Sequence, residues 1–214
     1  IGARVSNSSW GGGSPSAAID SAFAAALRAG MVHFVSAGND NRGSLNYPAS
    51  CPSVNAVGAA LPSGVRVNKS VFWWGSNYGT GLKFMAPGEF MITTDRTGSA
   101  GYNGSGDYTW FNGTSAASPY AAGVAALILS QNPSWSPTQV VARMIATCTD
   151  MGAAGYDTET GYGLLNVARA LGVGMGTLTG ISFASSHDGA EPQLSQRSHV
   201  FHFGVSPKCT QIWR

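Results

Sequence analysis

The chain has 214 residues, enough for one domain or most of one, with only 10% charged side chains and a formal net charge of +2. A balance so near neutral gives no reason to expect nucleic acid or an anionic membrane as a partner, and no apolar run approaches membrane-spanning length. Few charges together with 29 glycines point to a compact, loop-rich fold of the kind often exported. Arg4 to Ser9 reads as a short strand running into the tight turn Trp10-Gly11-Gly12-Gly13. Ser14-Pro15 opens a helix to about Ala29, with Ile19, Phe23, Ala26 and Leu27 as its apolar stripe and Gly30 as its stop. Met31 to Ser36 is an apolar run of strand length, the pattern of a central parallel strand, and it ends at Ala37-Gly38-Asn39-Asp40-Asn41. Its His33 sits mid-strand and reads as a satisfied core histidine.

Residues 46 to 60 lead into a further strand, and Gly75 to Gly81 is a polar, Gly-rich loop. Leu82 to Gly88 reads as a strand closing on Ala-Pro-Gly, and Gly101 to Asp107 as a second loop before a short strand, Tyr108 to Phe111. The next helix, 114 to 131, is almost wholly Ala, Gly, Val, Leu and Ile, which predicts burial with close packing on several sides. Pro119 is read as falling in its first turn, where amide donors are not needed. Ser136-Pro137-Thr138-Gln139 is a capping box that starts a helix to about Thr147, with Val140, Val141, Met144 and Ile145 toward the core. A last helix ends at Leu171.

Ser115 stands at the mouth of the 114–131 helix, where free N–H groups and the positive dipole end converge. Taken alone it is a helix cap, as Asn39 alone is a turn residue. The surrounding residues say more. Gly113-Thr114-Ser115, Ala117, Pro119, Ala122 and Gly123 resemble the nucleophile motif of the subtilases, the subtilisin-like serine proteases, with Tyr120 where the family more often has His. Ala37-Gly38-Asn39, Ser9-Trp10-Gly11-Gly12, the stretch from Asn46-Tyr47-Pro48 to Ala59, Ala86-Pro87-Gly88 and Gly161-Tyr162-Gly163-Leu164-Leu165-Asn166 resemble further segments of that family in the right order. The likeness runs over about residues 4 to 171.

The resemblance implies an α/β fold, a three-layer subtilisin-like architecture with a mostly parallel central sheet whose N-terminal strands are missing. Residues 1–172 would be a partial peptidase domain and 173–214 a C-terminal tail or linker. Ser115 would be the nucleophile and Asn39 the side-chain donor of the oxyanion hole. A fixed neutral donor at that point favours the transition state over the substrate. Ser9, Trp10, Gly11, Gly38 and Thr114 would bind substrate, whose backbone adds as a strand. Trp10 replaces the usual Leu and is equally readable as core packing. The family's Asp-Thr-Gly-like and His-Gly-Thr-His-like motifs do not occur in the chain, and no His is followed by Gly. The expectation is the C-terminal part of a catalytic domain, with its Asp and His upstream, and inactive and unstable alone.

The function implied is a serine endopeptidase working through an acyl-enzyme on Ser115; the alternative is a catalytically inactive subtilase-fold binding or structural module. The partners implied are polypeptide substrates, with neither nucleic acid nor membrane. The complete protein would be a secreted monomer. Its chemistry calls for no cofactor, and the resemblance implies a weak structural cation, calcium in this reading, on the backbone carbonyls of Ala49, Cys51 and Val54. Of the three cysteines, a Cys51–Cys148 bridge would fit an exported protein and leave Cys209 over, while free buried thiols are the other reading. His187, His199 and His202 show no metal-ligand spacing with acidic residues.

Overall fold

The computed structural model describes residues 2–173 except residue 105. Strands β1 (Val5–Ser8), β2 (Val32–Ser36), β3 (Asn55–Ala60) and β4 (Leu82–Pro87) form one sheet in that order, each neighbouring pair parallel. Every residue of β2 and β3 is buried, as the mostly apolar run of β2 suggests of a strand covered on both faces. Side chains divide between two clusters, and a bulge where β4 pairs with β3 sends Leu82 and Phe84 to opposite faces. Val32, Phe34, Val57 and Phe84 pack with α2 (Thr114–Gln131), α3 (Pro137–Thr147) and α4 (Val167–Ala170). Val35, Leu82 and Met85 pack with Val54, Met151 and Phe23 of α1 (Ala17–Arg28). Helices on both faces of a parallel sheet make the three layers of an α/β fold.

Helix α1 begins at Ala17, later than Ser14-Pro15 suggested, because the chain stays extended to Ser16. The Ser16 carbonyl there takes both the Asp20 N–H and the Tyr47 hydroxyl. Its apolar stripe is half-buried rather than buried. Helix α3 starts on the expected capping box: Gln139 N–H donates to Ser136 Oγ at 3.3 Å and Ser136 N–H to Gln139 Oε1 at 2.9 Å. Helix α2 has the bounds read from sequence but not the burial. Pro119, Gly123, Ala126, Leu127 and Ser130 form an exposed stripe, because no described element covers that side. Ala116, Ala117, Ala121, Val124, Ala125 and Ile128 lie against the sheet, and their small size lets α2 contact all four strands closely.

Strand β6 (Tyr108–Phe111) pairs antiparallel with β5 (Met91–Thr94), which the sequence reading missed. No disulfide links Cys51 and Cys148: both are free thiols, Cys51 in one apolar cluster and Cys148 packed against the other. Cys209 and all of the expected tail after Val173 lie outside the described residues. No helix among the described residues is long and apolar enough to cross a membrane.

Candidate active site

Gly113 makes the turn from β6 into α2. Its φ of +113° suits glycine, and its N–H is held by Gly88 O at 2.8 Å, at the end of β4. Ser115 follows as the second residue of the helix, so its N–H has no intrahelical acceptor and finds no other partner among the described residues. The Ser115 hydroxyl donates to the Ser9 carbonyl at 3.3 Å, and the Ser9 hydroxyl donates to the Ser115 carbonyl at 2.9 Å.

That second bond corrects the reading of Pro119. With α2 starting at Thr114, Pro119 is its sixth residue, beyond the first turn. The N–H it lacks is the one that would have reached the Ser115 carbonyl four residues back. Ser9 supplies the missing donor. Ser9 Oγ in turn accepts from Asn7 Nδ2 at 3.0 Å, and Asn7 Oδ1 from Ser118 Oγ at 2.6 Å. The end of β1 is thereby bonded to the first turns of α2 at Ser115 and at Ser118.

Asn39 follows β2. Its Oδ1 accepts from the Thr114 N–H at 2.9 Å and from the Thr114 hydroxyl at 2.8 Å, while that hydroxyl accepts from Gly38 N–H at 3.2 Å. Two donors on the oxygen fix which way the amide faces, so Nδ2 is the outward donor, and no described residue accepts from it. Asn39 Nδ2 and the Ser115 N–H are thus two unsatisfied donors beside one hydroxyl, the arrangement that stabilises charge developing on a carbonyl oxygen.

One cavity of about 210 Å³ joins these groups, lined by Ser9, Trp10, Gly11, Ser36, Gly38, Asn39, Asp40, Asn46, Thr114 and Ser115. All seven residues singled out from the sequence are among them. Trp10 is half exposed at the rim, so core packing is the wrong reading for it. Asp40, Asn46 and the buried Asn77 were assigned no role from sequence. Asn77 Oδ1 accepts from the Asp40 and Arg42 N–H groups, and its Nδ2 donates to Asn46 Oδ1 at 3.2 Å. Arg42 donates to both Asn46 Oδ1 and Asp40 Oδ2 at 2.8 Å. The Arg42 guanidinium beside Asp40 holds its carboxyl below the usual carboxylate range. Asn46 stands directly before Tyr47-Pro48, the one signal that could have drawn attention to it.

His33 does not belong to this cavity. It is buried on β2 against the Phe23 ring, with Nδ1 2.6 Å from Ser6 Oγ and Nε2 unpartnered. It is therefore a core histidine only half satisfied, and burial pushes its pKa below the ordinary value.

Residues 1–163 match the model of the subtilase family. The chain is 37% identical over 169 residues to subtilisin Savinase of Lederbergia lenta, covering 79% of this chain and 56% of that one. It is 37% identical over 169 residues to an alkaline protease of Shouchella clausii, covering 79% and 40%. Among solved structures, a protease from Pseudoalteromonas arctica superposes with a TM-score of 0.67 at 32% identity, over 79% of this chain and 50% of that one. The chain spans about half the length of the curated relatives it matches.

Proposed function

The chain belongs to the subtilase family, and on that premise we propose that it carries the nucleophile, oxyanion hole and side-chain pocket of a secreted serine endopeptidase. The observation that carries this reading is a pair of donors without acceptors among the described residues, Asn39 Nδ2 and Ser115 N–H, on two residues that line one cavity with the Ser115 hydroxyl. In the mechanism, Ser115 Oγ leaves the Ser9 carbonyl and attacks a peptide carbonyl. The two donors receive the oxygen as it gains charge. The peptide C–N bond breaks, the amine leaves with the proton the base returns to it, and water then hydrolyses the acyl-enzyme. The proton from Ser115 needs a base oriented by a carboxylate. A carbonyl acceptor such as Ser9 O cannot take it. The base and its carboxylate belong, in this proposal, to segments of the complete protein other than residues 2–173.

No step calls for a cofactor. The proposed structural cation on Ala49, Cys51 and Val54 would have only neutral carbonyl donors, and Cys51 O already accepts from Val54 N–H at 3.3 Å. That donor set suits weak binding. A fluorophosphonate probe applied to the complete protein tests the main reading. Covalent label on Ser115, abolished by Ser115→Ala, is the expected result. A folded protein that takes no label there would instead be the inactive binding module.

A further inference from the structure

We propose that Asp40 and Asn46 make the cavity select a carboxamide side chain, glutamine or asparagine, on the residue whose carbonyl Ser115 attacks; this rests on the protease reading above. The amide orientations are forced rather than assumed. Two backbone N–H groups, of Asp40 and Arg42, occupy Asn77 Oδ1, so Asn77 must present Nδ2 to Asn46. Arg42 and Asn77 both donate to Asn46, so the atom they meet is Oδ1, and Asn46 Nδ2 faces the Asp40 carboxylate at 3.3 Å. One Nδ2 hydrogen is used there and the second has no partner. Asp40 Oδ2 receives Arg42, Asn46 and, at 3.5 Å, Asn77 Nδ2, while Asp40 Oδ1 receives nothing among the described residues.

Two residues of the cavity lining thus carry one donor hydrogen and one acceptor oxygen without a partner among the described residues. A carboxamide matches both, its oxygen on Asn46 and its nitrogen on Asp40. A methionine or phenylalanine side chain of similar reach would cover both groups and satisfy neither, and an unmade bond to a shielded polar group costs more than a made one gains. A glutamate, acceptor-only when ionised, could take the Asn46 hydrogen but has none to give Asp40 Oδ1. A lysine would find its attraction offset, because Arg42 lies 2.8 Å from Asp40 and cancels most of the local field. Gly38 preserves the arrangement: a Cβ there would lie 2.5 Å from Asn46 Nδ2 and 2.3 Å from Asn77 Nδ2.

The test uses the complete protein and fluorogenic peptides differing only in the residue before the scissile bond: Gln, Met, Glu, Lys and Phe. We expect kcat/KM for Gln to exceed that for its isostere Met, and for Glu, by about tenfold. In Asn46→Ala the Gln-to-Met ratio should fall toward one; taking the ratio within each protein removes any general loss of activity. A wild-type preference for Phe or Met overturns the proposal, with no variant needed, and so does a ratio that Asn46→Ala leaves unchanged. Probe label on Ser115 without cleavage of the Gln peptide also overturns it but leaves the protease reading standing. Neither label nor cleavage overturns both.

Discussion

The exchange of donors between Ser9 and Pro119 makes a quantitative prediction about stability that is independent of any activity. In Ser9→Ala the Ser115 carbonyl loses the hydroxyl that donates to it, and Pro119 has no N–H to take its place. Leaving a partly buried acceptor unpaired costs about 1–3 kcal/mol, and because Ser115 is half-buried the lower part of that range applies. Pro119→Ala restores the helical N–H, and Pro119 is exposed, so the change opens no hole in the core. In the Pro119→Ala background, Ser9→Ala should then cost much less. The bond from Asn7 to Ser9 Oγ is lost in both backgrounds and cancels. The expected coupling between the two sites is about 1 kcal/mol, well above the few tenths seen for independent sites. Urea unfolding of the wild type, both single variants and the double variant measures it. Equal costs of Ser9→Ala in the two backgrounds would show that Ser9 does not stand in for the missing amide, and the account of Pro119 would fail.

Gly38→Ala combines a φ of +109° with a Cβ placed 2.3 Å from the fully buried Asn77, and should cost about 3 kcal/mol or more in the same assay. Burial pushes the Cys148 thiol up to about 12, so at pH 8 iodoacetamide should leave it unmodified in the folded protein and modify it in urea; rapid native labelling would contradict its placement. Glu89 is buried with Trp74 Nε1 donating to its Oε2 at 2.8 Å, and burial raises its pKa. Its contribution is therefore fully present below the unfolded carboxyl's pKa and is lost as pH rises through the higher folded value. Glu89→Gln should gain stability relative to wild type as pH rises across that window, and a flat difference would refute the assignment. Asn39→Leu in the complete protein should lower kcat by roughly 10²–10³ with little change in KM, a magnitude taken from subtilisin, itself a member of the family. Unchanged kcat would remove Asn39 from the chemistry.

What could be read in the sequence was what depends on neighbours in the chain. Helix α2 and the capping box of α3 are local patterns, and both begin where the residues indicate. Strand β2 announced its double burial through a mostly apolar run in which only His33 and Ser36 are polar. β5 carried no such signal: Met91–Thr94 is four residues, mostly exposed, and becomes a strand only by pairing with β6 across a long loop. The donors around Ser115 were illegible for the same reason. Ser9 lies 106 residues from Ser115, and Asn77 lies 31 from Asn46. Periodicity says nothing about which asparagine reaches which amide. Trp10 shows the converse error, since a large apolar ring suggests the core although here it stands half exposed at a cavity rim.

The geometry around Ser115 separates two tasks that a serine protease must combine. Positioning is built into residues 2–173: the Asn7, Ser9 and Ser118 bonds fix the hydroxyl's surroundings, and Thr114 fixes Asn39. Proton transfer is not built there. Ser115 donates to a carbonyl, and the one histidine among the described residues is spent on Ser6 in a buried site that disfavours its charged form. In subtilisin, removing a member of the triad leaves roughly 10³–10⁴ of acceleration over water from the oxyanion hole and binding alone. The tasks are therefore separable in rate as well as in space. In the proposed mechanism, a carbonyl held by Asn39 and the Ser115 N–H is polarised before any base acts. It follows that substitutions at Asn39 and Thr114 should lower that residual rate, whereas loss of the Ser115 hydroxyl should not, once the base is absent.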